Sequence, residues 1–185
     1  VTRESEADAV RGFSYVIDSR VPDYSPSALP VDATAGLNSQ FLAEHTALPP
    51  PCSSGQTSAD RCWPDSVTGL AEEITANAAS DFERARLLQD HFLQSGNFEY
   101  DLNVAQRHDV NSIEDFLFVV EAGYCEQFAS TFASMARSIG LPARVAVGFT
   151  WGEWNDARQE YIVRGEHAHA WPEVYFAGAG WVVFD

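Results

Sequence analysis

The chain has 185 residues, enough for one domain with a hydrophobic core plus an appended segment and too few for two full domains. With 45% hydrophobic, 12% aromatic and 21% charged residues it is neither a disordered nor a fibrous chain. Its formal net charge is -16, all 11 basic residues are arginine and lysine is absent, a balance that argues against nucleic-acid binding and electrostatic membrane docking.

Residues 1–11 are charged and weakly patterned, and Gly12 to Val21 alternates as a strand. A Pro/Ser/Ala-rich stretch follows to Pro51, with one helical hint at Leu37 to Glu44 and an extended P-P-P run at Pro49 to Pro51. Cys52 and Cys62 bracket a Ser/Gly/Thr-rich loop and read as a disulfide rather than as two free thiols. Closing that loop is worth roughly 2.5–3 kcal/mol and requires an oxidising compartment. Residues 1–65 are expected to form an arm with its disulfide loop over a core of residues 66–185.

From Ser66 the apolar period becomes 3.6, with Val67, Leu70, Ile74 and Ala78 on one helical face. A second helix runs from Asp81 to about Gln94, opened by a capping box of Ser80 and Glu83. Asn97 to Leu102 reads as a short strand or extended link, and Ser112 opens a brief helix carrying Phe116 and Leu117. A further helix begins near Cys125, with Phe128, Phe132, Met135 and Ile139 in its stripe, and stops at Gly140 before Pro142. Strands are expected at Ala143–Trp151, Gln159–Arg164, Ala168–Phe176 and Gly180–Asp185. Helices followed by an antiparallel sheet predict an α+β fold.

The uncharged run from Val174 to Phe184 falls far short of the roughly 20 apolar residues that cross a bilayer. Beginning at Val1 and stopping at Asp185 inside an apolar run, the chain reads as a piece of a longer polypeptide.

Cys125 is the chemically suggestive residue. Lone cysteines are most often small buried hydrophobes. Here a glycine stands two residues before, a helix begins at the sulfur, and polar Glu126 and Gln127 follow. A helix N-terminus favours the reactive thiolate and offers N–H groups to an oxyanion. Gly123 is expected to give the chain the freedom for a tight turn into this helix.

A nucleophilic thiol needs a base and a group that orients the base. His45, His91 and His108 lie in polar or charged surroundings and read as surface residues, whereas His167 and His169 share one face of a strand. Their H-x-H spacing also fits a metal site with Glu166, Glu173 or Asp185, although no second cysteine or H-x-x-E partner lies nearby. Either histidine suits the base, and Asp185 suits the orienting role. Trp151, Trp154, Trp171, Tyr175 and Trp181 are candidates to wall a cleft for an acyl chain but read mainly as core or sheet packing, and Arg137 and Arg144 as ion-pairing residues.

Three blocks, G-Y-C-E-Q-F-A-S-T-F-A-S-M-A-R-S-I-G-L-P-A-R-V-A-V-G-F, H-A-W-P-E-V-Y-F and G-W-V-V-F-D, occur in this order. Over roughly Ser66 to Asp185 the chain resembles the transglutaminase-like superfamily, in particular the extracytoplasmic domain of bacterial membrane-anchored members. The resemblance implies a papain-like thiol-enzyme fold with Cys125 as nucleophile, His169 as base and Asp185 as third member. It implies acyl transfer from a glutamine or other amide through a thioester resolved by an amine or water, a peptidase or amidase on the same residues being the alternative. A silent binding module is a further alternative, disfavoured by the complete set of three. Tyr124, Gln127 and Trp171 are candidate substrate-binding residues. The implied partner is a protein or peptide, the cell envelope being one source, with no nucleic acid, no cofactor and no metal. Membrane contact would come only through segments outside this chain.

Overall fold

The computed structural model describes residues 28–53, 62–103 and 110–185. The strand expected at Gly12–Val21, His108 and most of the loop between Cys52 and Cys62 lie outside them. Five α-helices are described: α1 (Ser39–His45), α2 (Asp65–Thr75), α3 (Asp81–Gln94), α4 (Val110–Asp115) and α5 (Cys125–Ser138). The strands are β1 (Glu99–Tyr100), β2 (Ala122–Gly123), β3 (Ala143–Phe149), β4 (Glu153–Asn155), β5 (Glu160–Ile162), β6 (Ala168–Phe176) and β7 (Gly180–Val183). No helix among the described residues is long and apolar enough to cross a membrane.

The apolar stripes dictate the layers. In α5 the buried positions Ala129, Phe132, Ala133, Met135 and Ala136 recur at helical spacing and pack on β6. In α3, Ala85, Leu88 and Phe92 do the same against α5. Each fully buried Leu or Phe contributes on the order of 1.5–3 kcal/mol. Ser80 caps α3 by accepting from the Glu83 N–H at 3.2 Å. The Glu83 carboxylate does not return the bond to Ser80 as the capping box predicts, but accepts from the Ala79 N–H at 2.7 Å. Leu29 and Ala33 enter the same core, and Ala33 donates its N–H to the Asp81 carboxylate at 2.8 Å.

The main sheet has the antiparallel order β3-β6-β7. Its register sets Gly148 opposite His169 and Arg144 opposite Glu173. β4 and β5 form a separate antiparallel pair, and β1 and β2 pair in parallel. β3 stops two residues short of the expected end because the chain turns at Gly152, whose φ is +72° and where a Cβ would collide with the Ile162 carbonyl. The Cys52–Cys62 disulfide is formed, with Cα atoms 4.8 Å apart, and beside it Pro51 and Trp63 form a short bridge.

Two histidines expected at the surface are packed. His45 meets Trp181 edge-on at 5.0 Å, and His91 packs against Phe92 and Phe98, each at 5.5 Å. Burial pushes the His91 imidazole below its ordinary value, with the Glu121 carboxylate opposing the shift. Arg144 pairs with Glu173 as expected. Arg137 instead donates to the carbonyls of Ala143 and Ala47, and its burial lowers the guanidinium pKa.

Candidate active site

The turn into α5 is built from local backbone chemistry. A π-helical turn, Phe116–Val120, closes at Glu121, which takes the left-handed conformation with φ +48° while its N–H bonds the Phe116 carbonyl at 3.1 Å. Gly123, expected to be the flexible residue, serves a different purpose. A Cβ there would lie 3.0 Å from Gln127 Cβ and 3.2 Å from the Phe116 ring, so glycine permits close packing under the start of α5. Tyr124 caps the helix in an extended conformation, and its N–H is satisfied by Gln127 Oε1 at 3.1 Å. Cys125 then occupies the first helical position as a half-buried free thiol.

A second segment reaches the thiol from β1. The Glu99 and Asp101 N–H groups each bond, at 2.8 Å, to the carbonyls of Glu121 and Gly123, and so set Tyr100 beside Gly123. Tyr100 and Cys125 line the same cavity. Desolvation first, and the charge of Cys125 second, raise the Tyr100 pKa and keep its proton in place. Tyr100 was not singled out from the sequence, because two-residue strands have no readable period and this pairing spans a long sequence separation.

The sheet presents the two histidines differently. His167 ends a 3-10 turn, Gly165–His167, and its Nδ1 accepts from the Arg164 N–H at 2.8 Å. His169 lies in β6 with Nε2 2.7 Å from Asp185 Oδ2, which leaves Nδ1 as its remaining ring nitrogen. Asp185 is held from both sides. The preceding Phe184 N–H bonds the Pro172 carbonyl at 3.1 Å, and Gln89 of α3 donates its side-chain amide to the Asp185 carbonyl oxygen at 2.8 Å.

Cys125, His169 and Asp185 line one cavity of about 320 Å³ together with Tyr100 and Gln89. The rest of its wall is apolar. Tyr124, Gln127 and Trp171 are not among its lining residues. Trp171 flanks His169, with ring centroids 6.0 Å apart, and donates Nε1–H to Glu173 at 3.2 Å. The other Glu173 oxygen binds Arg144 Nε at 2.7 Å, and that guanidinium covers the Trp181 ring at 4.1 Å. The cavity's phenylalanines and tyrosine come from α3, α5, β1, the loop before β1 and the segment after β7 rather than from the tryptophans of the sheet. Among the described residues no group of three or more His, Cys, Asp or Glu is arranged to hold a metal ion.

Comparison with known proteins gives a consistent result. Residues 68–185, well over half of the chain, match the family model of the transglutaminase-like superfamily. The chain is 36% identical over 128 residues to the Bacillus subtilis protein YebA, covering 66% of this chain and 17% of YebA. It is 37% identical over 75 residues to a protein-glutamine gamma-glutamyltransferase of Pseudomonas aeruginosa, covering 40% of this chain and 11% of that enzyme. The crystal structure of the periplasmic domain of TgpA from Pseudomonas aeruginosa superimposes with a TM-score of 0.65 at 26% identity, over 80% of this chain and 47% of that domain. The chain therefore spans only a small part of these curated relatives and about half of the solved domain.

Proposed function

The chain belongs to the transglutaminase-like superfamily, with its papain-like α+β fold, and from this premise we propose that it is a thiol acyltransferase acting through Cys125, His169 and Asp185. The observation that carries the reading is the 2.7 Å bond from His169 Nε2 to Asp185, with the imidazole and the Cys125 thiol lining the same cavity.

In the first half-reaction Cys125 Sγ attacks the carbonyl carbon of a glutamine side-chain amide, and His169 takes the thiol proton. The C–S bond forms, the C–N bond breaks, and the imidazolium returns the proton to the departing nitrogen, which leaves as ammonia. In the second, a primary amine attacks the thioester, loses a proton to His169 and leaves as an isopeptide, while the sulfur is reprotonated. Water in place of the amine gives the carboxylate. Backbone N–H groups at the start of α5 and the Tyr100 hydroxyl are the donors offered to the oxyanion. Asp185 fixes the ring so that the nitrogen facing the reaction is Nδ1.

The same reading sets the domain outside the cytoplasm, acting on proteins or peptides of the envelope. The Cys52–Cys62 disulfide needs an oxidising compartment, and the similar TgpA domain is periplasmic. The test is incorporation of a fluorescent primary amine into a glutamine-containing peptide, with released ammonia and cleaved peptide measured in parallel. Amine incorporation that falls by about 10⁴ or more in Cys125→Ala and His169→Ala supports acyl transfer. Cleavage without incorporation assigns the same residues to a peptidase. Absence of all three products from the wild type would count against the proposal.

A further inference from the structure

We infer that the cavity beside Cys125 is a subsite for an apolar side chain of the acyl donor, aromatic or long and aliphatic, adjoining the amide that reacts. This rests on the reading of Cys125 as the acyl-accepting thiol. The apolar wall of the cavity includes Phe92 and Leu93 of α3, Phe128 and Phe132 of α5, Pro172 and Phe184. An apolar cavity of about 150 Å³ accommodates a benzene ring. The volume here, about 320 Å³, holds such a ring and leaves space for the reacting carboxamide.

The walls are braced against collapse. Phe128 stands edge-on to Phe116 at 5.0 Å, and Phe92 to Phe98 at 5.1 Å, so each ring that lines the space is fixed by another aromatic ring. The outer lip is apolar as well: Leu93 is 66% exposed and also lines the cavity, giving a donor a hydrophobic approach from solvent.

Charge narrows the ligand class. Asp185 is the lining carboxylate, and the group beside it able to carry positive charge, His169, is already its partner. The polar Gln89 amide is bonded to the Asp185 carbonyl. A carboxylate on the donor would therefore meet a like charge with no unpaired cation among the described lining residues, on a chain of net charge -16. An apolar group displaces only water that has few polar partners.

The experiment compares Cys125 alkylation by iodoacetamide and by its N-phenyl derivative, each normalised to the same reagent's rate with a small free thiol. In the wild type the phenyl reagent should be favoured by at least about tenfold, from burial of one ring. Leu93→Glu, at an exposed position, should lower that preference at least about threefold, and Leu93→Phe should retain it. Equal normalised rates in the wild type, or a preference unaltered in Leu93→Glu, would overturn the subsite. An ordinary iodoacetamide rate with the phenyl preference intact would instead remove the activated-thiol reading and leave the apolar site standing.

Discussion

Replacing Arg144 with alanine removes the partner of a buried carboxylate that holds Trp171, the neighbour of the candidate base. Glu173 is 9% exposed; one of its oxygens bonds Arg144 at 2.7 Å and the other the Trp171 indole at 3.2 Å. Breaking a fully buried ion pair by removing one partner costs about 3–5 kcal/mol. The arginine side chain is 44% exposed, so water reaches part of the space it leaves, and the loss should lie at about 2–3 kcal/mol. That figure includes the contact with Trp181, worth about 0.5–1 kcal/mol at such a site. Urea unfolding followed by tryptophan fluorescence measures the loss, and the corresponding fall in Tm is about 5–10 °C for a chain of this size. A double variant, Arg144→Leu with Glu173→Leu, should recover much of it, because no unpaired charge then remains buried. A loss below about 1 kcal/mol in Arg144→Ala would refute the claim that this pair anchors Trp171 beside His169.

Other elements make equally specific predictions. A Cβ at Gly148 would lie 2.9 Å from the Trp171 ring, so Gly148→Ala should cost about 1–3 kcal/mol and shift the tryptophan emission; an unchanged melt would contradict the packing. The lowered pKa of His91 means that the unfolded chain takes up the proton first as pH falls. His91 therefore adds no penalty above about pH 6.5 and lowers stability as the pH drops below that value. His91→Phe should flatten this limb of a Tm-against-pH curve, and a curve of wild-type shape would remove His91 from the account. Replacing Cys52 and Cys62 together by serine should lower stability by roughly 2.5–3 kcal/mol in non-reducing buffer and make the melt insensitive to reductant. A variant that melts with the oxidised wild type would show that the bond constrains nothing.

Strong periodicity made some elements legible from sequence. The helix expected from Asp81 to about Gln94 occupies Asp81–Gln94, and the strand expected at Ala168–Phe176 has those bounds. Both carry a long pattern with a clear start, a serine cap in one and alternating apolar residues in the other. The helix opening at Cys125 was equally readable from its apolar stripe and its stop at Gly140. What escaped depends on partners distant in the chain. Tyr100 reaches Cys125 through a parallel pairing of two-residue strands, and the Gln89 bond to the Asp185 carbonyl joins residues 96 apart. The turn before Cys125 misled for a related reason. Glycine suggests backbone freedom, yet the left-handed residue is Glu121, and Gly123 is small because Gln127 and Phe116 press against it. The spacing of His167 and His169 left the base open, whereas the fold engages them differently, one with the Arg164 N–H and the other with Asp185.

Activation of Cys125 by His169, held by Asp185, is read from the rate of Cys125 alkylation with iodoacetamide between about pH 4 and 9, in the wild type and in His169→Ala. An ordinary thiol, with a pKa of about 8.5, is almost entirely protonated at pH 6 and reacts slowly there. Activation by His169 predicts a wild-type rate that stays high at that pH and falls to the ordinary thiol curve in His169→Ala. A wild-type profile that already follows the ordinary curve, with the variant superimposed on it, would contradict it.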